Sequence, residues 1–187
     1  MILVIDTSTA TAAIATVDGE RTERLIPSRS SELRATLRDM ARMPDLTKVA
    51  VASGPGSFTG LRVGVSFALG LAMGRRIPIV PLPTLEIQAA RSDEPVTAVA
   101  DAGRGRFYFR TSDGRTAAGT PAEIPTDRPL VGRIEKRESL VAAGHSFKPE
   151  SELRRFVDAA ALMLETAREV PYGSLEIEYM TSFKAPR

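Results

Sequence analysis

The sequence predicts an α/β fold built from two related lobes, and three observations carry that reading. Apolar strand-like runs open the chain and recur ahead of the helix-like segments. A glycine-rich run, Ser53-Gly54-Pro55-Gly56-Ser57-Phe58-Thr59-Gly60-Leu61-Arg62, turns one such strand tightly into a long apolar helix. An acidic turn pattern, Asp6 with Asp18-Gly19, returns as Asp101 with Asp113-Gly114, both members displaced by 95 residues.

Met1 to Ile5 is a continuous apolar run, as expected of a strand covered on both faces. Asp6-Thr7-Ser8-Thr9 makes a polar turn, and Thr11 to Val17 returns as a second strand. Asp18-Gly19 signals a hairpin, with Glu20 to Ile26 as the third strand. Ser30 or Ser31 caps a helix in which Leu33, Leu37 and Met40 recur at helical spacing, and Pro44 stops it. Lys48 to Ala52 is the fourth strand, followed by the glycine turn and a helix from about Phe58 to Gly74. Ile77 to Val80 and Thr84 to Arg91 read as a short strand and a helix. Strand-strand-strand-helix-strand-helix is the opening order of a ribonuclease H-like lobe.

The repeat predicts a second lobe of the same kind, dividing the chain into residues 1–94 and 95–187. Duplicated lobes of this type are found in the superfamily of actin, Hsp70 and sugar kinases, where two acidic hairpin turns face each other across a nucleotide cleft. Pro121, Pro125 and Pro129 break up the second half. Only Glu152 to Val170, with Leu153, Phe156, Ala160 and Leu164 on one face, has a clear helical pattern there. The second lobe therefore reads as abbreviated.

Composition bounds the chemistry. The 187 residues are 43% hydrophobic and 26% charged, ordinary for a globular protein with a real core. A net charge of +2 is too small a field to predict nucleic-acid binding by itself. The absence of cysteine removes disulfides, thiolate catalysis and thiolate metal sites together. The longest apolar run, Val63 to Met73, is interrupted by Gly64, Ser66 and Gly70 and is short of membrane-spanning length. No signal segment precedes the first strand, so a cytoplasmic protein is expected.

Asp6 with Thr7 and Ser8, and Asp101 with Ala102-Gly103, are the candidate nucleotide-cleft residues. Either the carboxylates hold a metal-bound nucleotide, with small residues letting phosphates approach, or each aspartate satisfies the amides of its own turn. The glycine turn fits no catalytic template. A phosphate loop needs a glycine followed five positions later by Gly-Lys, but Thr59 and Leu61 stand at the places set by Gly54 and Gly56. A nucleophile elbow fails too, since Ser57 is flanked at two positions by Pro55 and Thr59. The single histidine, His145, sits in a loop-like context and is expected on the surface. Arg104 and Arg106 read either as RNA-phosphate contacts or as a solvated hairpin tip, in a chain where arginine far outnumbers lysine.

Three stretches in order, MILVIDTST at residues 1–9, the glycine turn, and DAGRGRFYF at 101–109, resemble the TsaB (YeaZ-like) family. The resemblance runs from residue 1 to about 110. It implies a non-catalytic subunit of the bacterial machinery that makes threonylcarbamoyladenosine in tRNA, with a degenerate cleft and no cofactor of its own. ATP or ADP would then enter only at the interface with the catalytic partner. The implied partners are a catalytic TsaD-type subunit carrying a His-x-x-x-His metal pair, a TsaE-type ATPase, and a second copy of the chain. tRNA would be met only through the complex, and no membrane is involved. The helices following residues 30 and 57 would form the association surface. Its expected residues are Leu33, Leu37 and Met40, with Gly60, Leu61, Gly64, Val65, Ala68 and Leu69 along a small-residue stripe. Two departures stand out: Arg29-Ser30-Ser31-Glu32 lacks the histidine usual there, and Tyr179-Met180-Thr181 lacks the arginine of the usual Tyr-Leu-Arg ending. A free-standing ATP-dependent enzyme or glycoprotease-like peptidase, and a dimerisation module without a tRNA role, are the alternative readings.

Overall fold

A computed structural model describes residues 1–178. Two sheets organise it. The first contains β1 (Ile2–Asp6), β2 (Thr11–Val17), β3 (Arg21–Pro27), β4 (Lys48–Gly54) and β5 (Ile79–Pro83), in the order β3-β2-β1-β4-β5. β1, β2 and β3 pair antiparallel, while β4 and β5 add in parallel. The second contains β6 (Thr97–Gly103), β7 (Arg106–Arg110), β8 (Thr116–Gly119) and β9 (Leu130–Val131), ordered β8-β7-β6-β9. It repeats the first sheet strand for strand: an antiparallel β6-β7-β8 meander with β9 parallel to β6. It stops one strand short. This is the two-lobed ribonuclease H-like fold.

Among the described residues, five α-helices accompany the sheets: α1 (Ser31–Ala41), α2 (Phe58–Arg75), α3 (Thr84–Ala89), α4 (Glu138–Ala142) and α5 (Phe156–Leu164). Strand alternation decides where they pack. Leu3 and Ile5 of β1, with Val49 and Val51 of β4, meet Leu33 and Leu37 of α1 and Val65, Ala68 and Ala72 of α2. The intervening residues Val4, Ala50 and Ala52 turn to the other face, against Ile87 of α3 and Phe156, Val157 and Ala160 of α5. Each large aliphatic side chain in these layers stabilises the fold by about 1.5–3 kcal/mol on burial. The near-continuous apolar strands are thus explained by helices on both faces.

Several boundaries differ from the sequence expectation: β4 runs on to Gly54, α3 ends at Ala89 rather than Arg91, and two further differences have a visible cause. The fifth strand begins at Ile79 rather than Ile77, because the Ile77 amide donates to Ala72 O and closes α2. The helix expected over Glu152 to Val170 contracts to Phe156–Leu164. Glu150–Glu152 form a separate 3₁₀ turn, Leu153 is extended, and Arg154 N donates to Arg91 O. The residues Tyr179-Met180-Thr181 lie outside the described part of the chain. Among the described residues, no helix is long and apolar enough to cross a membrane.

Candidate functional site

The β1–β2 turn and the start of α2 form one unit. Ser57 caps α2, its Oγ accepting from Gly60 N at 3.3 Å, while its own amide donates to Ser8 O at 2.7 Å. Thr7 Oγ1 donates to Gly60 O at 2.6 Å. The turn lies so close to the helix that side chains are excluded between them. A Cβ on Gly60 would stand 2.0 Å from Thr7 O, one on Gly64 2.3 Å from Thr7 Oγ1, and one on Gly56 2.7 Å from Ser8 O. Gly54, at φ +114°, passes beneath the backbone carbonyl of Glu178, whose amide donates to Ser53 O at 2.8 Å. Burial and the Glu86 charge push the Glu178 carboxyl above the usual carboxylate range.

The small-residue stripe of α2 therefore faces its own lobe. Gly64 and Ala68 are buried against the sheet side of the helix, as are Leu61 and Val65. Leu33 and Leu37 of α1 are buried in the same core, and Met40 and Leu69 pack partly buried against it. This corrects the expectation that these residues form an association surface: they hold the lobe together. The outer face of α2 is a different set. Phe58 is 54% exposed, Val63 45% and Met73 58%, and Gly70 and Gly74 look onto open space.

The cleft aspartates are not assembled as a metal site. Asp6 is fully buried; its Oδ1 accepts from Ser8 N at 2.8 Å, and its Oδ2 is paired with Arg133 Nη2. Asp101 is exposed, and its Oδ1 accepts from Gly103 N at 2.6 Å. Each aspartate thus closes its own turn, and an arginine already neutralises the buried one. Thr7 is committed to Gly60, and Ser8 Oγ is buried without a hydrogen-bond partner among the described residues. No cluster of three metal-ligating side chains occurs among the described residues. A metal-bound nucleotide at Asp6 would have to displace Arg133.

Arg133 was not legible in the sequence, because no spacing rule connects residues 127 apart. His145 was misplaced: it is buried, with Nε2 2.8 Å from Pro121 O. Burial comes from the turn after α4, which folds His145 N back onto Leu140 O. Ser57 and His145 are thus engaged separately, one in a helix cap and the other against a carbonyl. Arg104 is exposed at the β6–β7 turn with φ +56°, flanked by Gly103 and Gly105.

A cavity of about 410 Å³ opens beside Arg133, lined by Leu25, Glu23, Arg91, Arg154 and Phe156 among others. Its arginines have carboxylate partners: Arg91 with Glu150, Arg154 with Asp93, Arg133 with Asp6 and Arg155 with Asp158. It is not a ready anion trap.

Residues 32–123 match the family model described as TsaD, tRNA N6-adenosine threonylcarbamoyltransferase. The tRNA threonylcarbamoyladenosine biosynthesis protein TsaB of Bacillus subtilis is 39% identical over 120 residues, covering 57% of this chain and 52% of the relative. The protein of the same name from Escherichia coli is 32% identical over 125 residues, covering 58% and 53%. Over these stretches the chain is similar to proteins of the TsaB/YeaZ family. It spans about half the length of these curated relatives. The fold agrees along nearly the whole chain: YeaZ from Pseudomonas aeruginosa superposes with a TM-score of 0.70 at 21% identity, covering 95% of this chain and 99% of that one. The sequence likeness is partial and the fold likeness nearly complete.

Proposed function

We propose that this chain is a TsaB/YeaZ-type accessory subunit of tRNA threonylcarbamoyladenosine synthesis. It scaffolds and activates a catalytic TsaD-type threonylcarbamoyltransferase that modifies the adenosine next to the anticodon of ANN-decoding tRNAs. The partner supplies metal, adenylate and catalysis, and this chain meets tRNA and a TsaE-type ATPase only within the complex. One observation carries the reading. The outer face of the 18-residue α2 exposes three large apolar side chains, Phe58, Val63 and Met73, beside Gly70 and Gly74, with Arg62 stacked over the Phe58 ring and Thr59 and Ser66 as its other exposed polar side chains. An apolar patch of this kind on a helix needs a cover, and Gly70 and Gly74 let another helix come close. The same face serves a second copy of the chain, so homodimer and partner compete.

The test separates docking from folding. Val63→Glu and Gly70→Arg place charge and bulk on the outer face without touching the core. Each should abolish co-purification with the TsaD-type subunit, and self-association on size exclusion, while the thermal melt stays within about 2 °C of the parent, as a surface change of ±0.5 kcal/mol allows. Normal binding by both variants would remove α2 as the docking surface.

A further inference from the structure

We propose that Arg133 is a built-in cation that latches the two lobes together across the cleft. Asp6 ends β1 in the first sheet, and Arg133 follows β9 in the second. Asp6 is fully buried and the Arg133 side chain only 12% exposed, so both charges have left water and each depends on the other for compensation. Both ends are fixed by backbone. The Ser8 amide holds the Asp6 carboxylate, and Gly132 presses Arg133's turn against β6, where a Cβ would stand 2.1 Å from Val99 O. The guanidinium also lies over the Phe156 ring, 5.1 Å from its centroid, and α5 packs on the first sheet. Arg133 Nε and Nη1 are buried without hydrogen-bond partners among the described residues. Asp6 and the ring are therefore what hold the group in place.

A second seam lies where the chain passes between the lobes. Arg91 pairs with Glu150 and donates Nε to Arg154 O at 3.0 Å; Arg154 pairs with Asp93. Lys148 bridges Glu94 and Glu152, and the Glu94 hydrogen bond holds its ammonium above the usual lysine range. The two crossing segments, 91–94 and 148–154, are thus fastened side by side. With the crossing fastened, the cleft pair sets the remaining freedom of one lobe against the other. The latch holds that angle without a bound metal.

The chain has no cysteine, so labels can be placed at will. Glu20→Cys and Ser112→Cys, both exposed and one in each lobe, carry spin labels for an interlobe distance distribution. The parent should give one narrow distribution, and Arg133→Gln and Asp6→Asn a broad or shifted one. The single variants should each lower the melting temperature by about 5–10 °C, and the double variant by no more than the worse single. Millimolar Mg²⁺ should leave the parent melt unchanged, because the Asp6 carboxylate is already paired with Arg133. If the glutamine variant does not fold, Arg133→Lys, which keeps the charge at a different reach, should still broaden the distribution. An unchanged distribution in every folded variant, additive losses in the double variant, or a Mg²⁺-stabilised parent would each overturn the latch.

Discussion

At the scale of single residues, the glycines of α2 divide into two kinds that the sequence cannot tell apart. Gly60 sits against a backbone carbonyl, with 2.0 Å to Thr7 O for an added Cβ, whereas Gly70 has nothing within 4 Å. A methyl group at Gly60 must therefore push the β1–β2 turn off the helix, a strain of about 1–3 kcal/mol. At Gly70 it only removes backbone freedom from the unfolded chain and improves helix propensity, by about 0.5–1 kcal/mol. Gly60→Ala should lower the melting temperature by several degrees and Gly70→Ala should raise it slightly, measured side by side by circular dichroism. Equal effects would mean that the turn does not lie on the helix. The four-residue spacing of Gly60, Gly64, Ala68 and Ala72 was legible as a stripe for close approach. What approaches was not, because α2 is apolar nearly all round and has no polar side to orient it. The approaching backbone is the Asp6–Thr9 turn, which sequence reasoning left open between a phosphate contact and an aspartate closing its own turn.

At the scale of elements, α5 shows how a helix start can be fixed from elsewhere in the chain. Val157 N donates to Glu23 Oε2 at 2.8 Å, across 134 residues, and Arg154 N is taken by Arg91 O. Periodicity saw the apolar face of α5 but not these partners, so it extended the helix through Leu153. The strands and the first two helices were legible because local pattern and burial agree there, and the repeated acidic turns pointed to the abbreviated second lobe; its closing strand β9 was not legible, since it is two residues long and carries no pattern. Asp158, in the first turn of α5, receives Arg155 Nε at 2.9 Å and Arg21 Nη1 of β3 at 3.2 Å. The Arg155 hydrogen bond, then that of Arg21, holds its carboxyl below the usual aspartate range. A carboxyl depressed in the folded state contributes stability above its unfolded pKa, and loses it as pH falls through the folded one. Asp158→Asn should therefore melt below the parent at neutral pH, with the gap closing as the buffer is taken down through and beneath the ordinary aspartate range. A gap independent of pH would show that the side chain acts by packing alone.

At the scale of the whole molecule, the groups that might do chemistry are each committed to holding the fold. Asp6 is neutralised by Arg133, Asp101 closes its turn, Ser57 caps α2, and His145 meets the Pro121 carbonyl. On α2 the large side chains that face outward are apolar, Phe58, Val63 and Met73, with Arg62 stacked on the first. If the proposed role is right, activity should belong to the assembly. Purified alone, with tRNA, threonine, bicarbonate, ATP and the adenylate-forming enzyme, the chain should yield no threonylcarbamoyladenosine by mass spectrometry of digested nucleosides. Adding the TsaD-type subunit and the TsaE-type ATPase should produce it. Val63→Glu should remove that stimulation and His145→Ala should spare it wherever the variant folds, because only the first lies on the docking face. Modified adenosine from the chain without its partner would end the accessory reading. So would full stimulation by Val63→Glu together with its loss in a folded His145→Ala variant, which would move the working surface to the second lobe.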